Sequence, residues 1–244
     1  MIGELRSELL KLRSTRTTLV FVLGMLAVVL LIVPLQGFAS PALDLWNADS
    51  QRTLFSVGSV STGFAGFLGI LAITTEFRHG TIRPTLLFAP RRGRLVAAKV
   101  VAAMLAGTVL GLVAEGVNVG FGLGVLHARD LPLLLSSRDL ALLSVGTVLA
   151  AALWAALGVG LGAAIRSQVG AIIALTAWTF VVETVLLGLV PGVGRFAPGN
   201  AGNALAGAGD SRLLSPAWGG ALFVAYSVAF AALGWTLLAR RDVG

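Results

Sequence analysis

Six long apolar runs alternate with short polar stretches along the chain. They cover approximately residues 17–38, 54–75, 96–126, 140–165, 169–190 and 217–239. Each is near the ~20 apolar residues that one helical bilayer crossing requires. The pattern predicts an all-α polytopic membrane protein with six transmembrane helices, forming a single transmembrane domain over residues 1–244. The third run exceeds what a bilayer needs, so either its first turns project beyond the membrane or the helix tilts. Only Arg166 and Ser167 separate the fourth and fifth runs. A charge at the centre of a span is costly, which favours a turn there over one continuous helix.

The polar ends of this pattern add two elements. In the first sixteen residues, Leu5, Leu9 and Leu12 recur at helical spacing with Ile2 nearby, and Arg6, Lys11 and Arg13 flank them. That is an amphipathic helix lying on a membrane surface. The apolar run that follows is too long for a signal-peptide core and lacks an A-x-A-like site, so no cleavable leader is expected. On the other side of the membrane, Ser40-Pro41 can open a short interfacial helix through Trp46, with Ser as N-cap and Pro at the first helical position.

Composition agrees with the pattern. Hydrophobic residues make up 57% of the chain and charged residues 12%, against about 25% charged in a soluble domain. With a mean hydropathy of +0.92, a soluble chain of this size could not hide its apolar surface. The net charge of +7 is read as an orientation signal and a contact for anionic headgroups in the lipid bilayer, not as a nucleic-acid surface. Thirteen Arg and Lys residues flank one side: Arg6, Lys11, Arg13, Arg16, Arg78, Arg83, Arg91, Arg92, Arg94, Lys99, Arg166, Arg240 and Arg241. Only Arg52, Arg129, Arg138, Arg195 and Arg212 lie on the other. The positive-inside rule then puts both termini in the cytoplasm. Trp46, Trp218 and Trp235 fall near span ends, where amphipathic rings sit.

Cysteine is absent and the two histidines, His79 and His127, are far apart, so no metal site is expected. Gly107/Gly111 and Gly158/Gly162 form G-x-x-x-G pairs, and Gly58, Thr62 and Gly66 continue the theme. Such residues let helices pack closely in lipid. Two carboxylates fall inside spans. Glu115 shares a helix face with Gly107, Gly111, Asn118 and Gly122, which predicts a protein-facing stripe. Glu183 lies in the outer half of the fifth span beside Trp178 and Thr184. Each is either a functional group or a hydrogen-bonded lock between helices. Glu76, at the inner end of the second span, reads as structural, pairing with a nearby Arg. A six-span secondary transporter or channel relaying protons through Glu115 and Glu183 is one reading. A membrane protease is weaker, for want of HExxH or paired aspartates.

The longest basic loop carries an ordered set of residues. Glu76 ends the second span; Gly80-Thr81, Leu86-Leu87, Pro90, Arg92 or Arg94, and Lys99 follow. This order resembles the cytoplasmic motif of bacterial ABC-2 type (type V exporter-like) ABC transporter permeases. The basic amphipathic N-terminus, the six spans and the long outer loop before the last span extend the resemblance over most of the chain. The resemblance implies a non-enzymatic permease subunit of an ATP-driven exporter in the bacterial plasma membrane, moving a drug-like, lipid-like or peptide cargo outward. It implies pairing with a second permease copy or paralogue and with two copies of an ATP-binding cassette subunit. A coupling helix over residues 80–94 would dock into the cassette, using Gly80, Thr81, Arg83, Leu86, Leu87, Pro90, Arg91, Arg92 and Arg94. Glu183, Thr184, Trp178 and Glu115 would lie on the substrate path, and the outer loop from Pro191 to Pro216 would form re-entrant helices, with residues 201–208 in one of them. The chain has no G-x-x-x-x-G-K-[ST] and only two lysines, Lys11 and Lys99. It therefore has no ordinary cradle for ATP phosphates, and ATP and Mg would sit on the cassette subunit.

Overall fold

The computed structural model describes residues 2–39, 45–78 and 92–240. Gly80, Thr81, Arg83, Leu86, Leu87, Pro90 and Arg91, expected in a coupling helix, lie outside these, as does most of the segment from Ser40 to Trp46. The regular structure of the described residues is helical throughout. Six helical stretches are long and apolar enough to cross a membrane: Arg16–Ala39, Ala48–Arg78, Val96–Ala128, Ser137–Ile165, Gln168–Leu189 and Pro216–Leu237. The chain is a multi-pass membrane protein with the predicted number of spans.

The elements in order are α1 (Ile2–Ser14), α2 (Arg16–Pro34), α3 (Ala48–Phe55), α4 (Val60–Arg78), α5 (Arg92–Ala128), α6 (Ser137–Ile165), α7 (Gln168–Ala177), α8 (Glu183–Leu189), α9 (Pro191–Gly194), α10 (Pro198–Leu205) and α11 (Pro216–Arg240). Three spans are irregular, each for a local reason. Pro34 has no N–H for the helical ladder, and the first span widens there into a π-turn over Leu35–Ala39. Arg129 donates to the carbonyl of Gly37 in that turn at 2.7 Å. The second span joins α3 to α4 through a 3₁₀ turn at Val57–Ser59. The fifth joins α7 to α8 through a π-turn at Trp178–Val182.

The turn between the fourth and fifth spans is built from the two expected residues. Arg166 adopts a left-handed conformation (φ 59°) and its N–H bonds to the carbonyl of Gly162 at 2.9 Å, closing α6. Ser167 then caps α7, accepting from the Gly170 N–H at 3.2 Å. The Arg166 guanidinium sits 5.6 Å from the centre of the Phe77 ring, at the end of the second span.

Helix α6 is the centre of the bundle. Its residues from Ala150 to Gly160 are almost all buried, and most are Ala or Gly. A Cβ at Gly158 would collide with the carbonyl of Gly66 on α4, and one at Gly160 with the backbone at Phe230 on α11. From α5, a Cβ at Gly107 would come within 2.6 Å of the Ala151 carbonyl. Close approach of backbones replaces the hydrophobic driving force that lipid does not supply. In the 18-residue apolar window of the second span 61% of residues are buried, against 17% in the first, fifth and sixth, which therefore form the exposed rim of the bundle.

Candidate functional site

Two features stand out, one at each end of the bundle. The first joins α1, α4 and α5. Lys99, 2% exposed, donates to Glu8 Oε2 at 2.8 Å and to Glu76 Oε1 at 2.6 Å. Lys11 donates to Glu8 Oε1 at 2.8 Å and to the same Glu76 oxygen at 2.9 Å. Both lysines of the chain thus face two carboxylates that share them, and the four charges sum to zero. Burial alone would lower the Lys11 pKa, but the bonds and charges of Glu8 and Glu76 outweigh it and hold the amine above its ordinary 10.5.

The network revises two expectations. Glu76 was expected to pair with an arginine, but its partners are the two lysines. The face that α1 turns inward is not the simple leucine stripe either. Leu5 and Leu12 are half-buried, but Leu9 is 36% exposed and Glu8 is 5% exposed. Glu8 escaped notice in the sequence although it sits between Leu5 and Leu12 at i+3/i+4 spacing, where a carboxylate interrupts an apolar face and needs a buried cation.

The second feature is a cavity of about 560 Å³ between the first, second and fifth spans, toward the end opposite α1. Phe64, Phe67 and Phe180 give it apolar walls, while Thr62, Thr176, Thr179 and Asn203 give it neutral hydrogen-bonding groups. Glu183 and Thr184 are among its lining. Trp178 is not among its lining and is 46% exposed on the rim.

Glu183 has a specific task there. Its Oε1 accepts from the N–H of Gly199 at 2.9 Å and its Oε2 from the N–H of Asn200 at 2.8 Å. These are the first free amides of α10, which Pro198 opens. The carboxylate caps that helix and closes the cavity at the same point. Asn200 reaches back through its side-chain amide to the carbonyl of Gly194 at 2.9 Å, tying α9 to α10. The segment from Pro191 to Pro216 contains two short helices, and α10 begins three residues before the position expected from sequence.

Glu115 lies apart from this cavity, between α5, α6 and the 3₁₀ turn. It is 4% exposed, and its Oε1 accepts from the Ser144 hydroxyl at 3.0 Å. The predicted stripe does face protein: Gly111 packs on Val148, and Asn118 donates to the Phe55 carbonyl at 2.6 Å. Arg92 and Arg94 belong to the first turn of α5. No protein-family model and no curated protein sequence matches the chain.

Proposed function

We propose that this protein is the membrane-spanning permease subunit of an ATP-driven exporter of the ABC-2 type, with ATP hydrolysed on a separate cassette subunit. The observation that carries the reading is the four-charge network. Glu76 and Lys99, which bracket the basic segment 79–91, are bonded to each other and to Glu8 and Lys11 on α1. A force applied to that segment or to α1 would reach the second and third spans together. Such a rigid inward-facing platform is what a motor subunit needs if it is to move spans from outside the membrane. The cavity between the first, second and fifth spans supports the cargo side of the reading. Its lining of phenylalanines and neutral hydroxyls suits an uncharged or weakly charged amphiphile. In this reading both termini and segment 79–91 face the cytoplasm of a bacterial cell, and two permease chains make one pathway.

The test is to purify the tagged chain in mild detergent and identify what accompanies it. A stoichiometric P-loop ATPase, lost when residues 82–92 are replaced by a Gly/Ser loop, is the expected result. A chain that moves cargo on a proton gradient with no ATPase present overturns the reading.

A further inference from the structure

Among the described residues that line the cavity between the first, second and fifth spans, Glu183 is the one ionisable side chain, and no Lys, Arg or His joins it. A lone carboxylate in an apolar cavity would ordinarily call for a cationic ligand. Glu183 is not available in that way. It is 2% exposed, and the Gly199 and Asn200 amides hold its two oxygens at 2.9 and 2.8 Å. The positive end of α10 offsets its charge. A cation entering the cavity meets no bare carboxylate oxygen and gives up its hydration without a partner. An anion fares no better, for want of a basic group.

What the cavity offers is neutral. The hydroxyls of Thr62 and Thr179 are spent as donors on the carbonyls of Ser59 and Leu175, at 2.7 and 2.9 Å. The Asn200 side chain donates to the Gly194 carbonyl at 2.9 Å. Thr176, Thr184 and Asn203 also line the cavity, and their side chains make no hydrogen bond among the described residues. Asn203 and Thr184 are exposed and Thr176 is half-buried. Asn203 follows Asn200 by about one turn of α10, so the two carboxamides share a face of that helix. The free groups therefore include an amide that can both donate and accept and two hydroxyls. Phe64, Phe67, Trp154 and Phe180 add flat apolar surface. Phe21 packs edge-on against Phe64 and Phe67, at 6.0 and 6.5 Å between ring centres, and braces two of those walls. The volume of about 560 Å³ is that of a site for a drug-sized molecule.

We propose that this cavity selects a neutral, flat, drug-sized amphiphile carrying oxygen acceptors, with Asn203 and Thr184 as its specificity-determining residues. Glu183 is a positioning residue that holds α10, and with it Asn203, against the cavity. The proposal rests on the reading of the cavity as the cargo site and names what that site accepts and refuses.

The experiment compares two dyes with one ring system, Nile red, which is neutral and bears a carbonyl, and Nile blue, a cation with a nitrogen in that place. Each is dialysed to equilibrium against the purified full-length protein in phosphatidylcholine nanodiscs, with empty nanodiscs as the blank. The wild type binds Nile red saturably and Nile blue at least about tenfold more weakly. Asn203→Ala and Thr184→Val each weaken Nile red about fivefold and leave the unfolding temperature unchanged, since neither side chain holds anything within the chain. Asn203→Asp puts an uncapped carboxylate in the cavity and shifts the preference toward Nile blue. Nile blue bound as tightly as Nile red by the wild type overturns the proposal, because Glu183 then acts as a counter-ion. So does Nile red binding that is unmoved in both Asn203→Ala and Thr184→Val, and so does the absence of saturable binding of either dye. No ATPase or nucleotide is present, so failure here leaves the exporter reading standing. A purification that yields no ATPase partner sinks that reading and leaves the binding result as it is.

Discussion

Glu183 directs both carboxylate oxygens at backbone amides of another element, and this changes what its removal should do. A glutamine at that place has one acceptor oxygen, so one of the two α10 amides, Gly199 or Asn200, would face an NH₂ group. Leaving a buried donor unpaired costs about 1–3 kcal/mol. Glu183→Gln should therefore lower the unfolding temperature of the detergent-solubilised protein and loosen the α10 end of the cavity, so that transport and stability fall together. Transport that falls while the unfolding temperature is unchanged would instead make Glu183 a direct contact of the cargo. Lys99 is the other residue with a sharp expectation. Lys99→Met leaves Glu8 and Glu76 buried with only Lys11 between them, and breaking a buried pair from one side costs about 3–5 kcal/mol. Adding Glu8→Gln to that variant removes one unpaired charge and should recover part of the loss, as measured by the same melt.

The elements differ in how much of them the sequence disclosed. Six spans were legible because each apolar run is long and the breakers between runs are strong. Arg166 marked the tightest turn because a charge cannot lie mid-span. The inward-facing stripe on α5 was legible from Gly107, Gly111, Glu115 and Asn118 recurring on one face. The π-turn at Trp178–Val182 was not, since its residues are ordinary for an exposed apolar helix and no proline marks it. Nor was the cap on α10, because Glu183 and Gly199 are sixteen residues apart and meet only after two short helices fold back. Close packing of α6 supports a prediction that separates one kind of glycine from another. Gly158→Ala places a methyl against the Gly66 carbonyl and should prevent the second and fourth spans from seating, seen as loss of a monodisperse protein peak in detergent. Gly188→Ala, in open space on α8, should be neutral by the same measure. For α1 the lever is pH. Lys11 has its pKa raised by Glu8 and Glu76, so its contribution to docking α1 is complete below 10.5 and is lost as pH climbs through the raised value. Proteolysis at Arg6 should therefore speed up in strongly alkaline buffer more than cleavage at Arg212 in the loop between α10 and α11.

At the scale of the whole molecule, contacts fix which ends of the spans share a face. Glu8, Lys11, Glu76 and Lys99 meet at one end, and Arg166 approaches Phe77 there and the Leu237 carbonyl at 3.5 Å. Gln51, at the other end, donates to the carbonyl of Pro132 at 2.8 Å, and Arg129 reaches Gly37 there. The ends that share the first face carry the larger share of Arg and Lys, the side that the positive-inside rule assigns to the cytoplasm. The absence of cysteine makes this directly measurable, since any introduced thiol is the sole label site. Ser7→Cys on α1 and Ser211→Cys between α10 and α11 are both at exposed positions. In intact cells a membrane-impermeant maleimide should label Ser211→Cys and leave Ser7→Cys untouched. After the membrane is opened both should react. The converse pattern would invert the molecule and put segment 79–91 out of reach of any cytoplasmic ATPase, so one labelling experiment bears on orientation and on the exporter reading together.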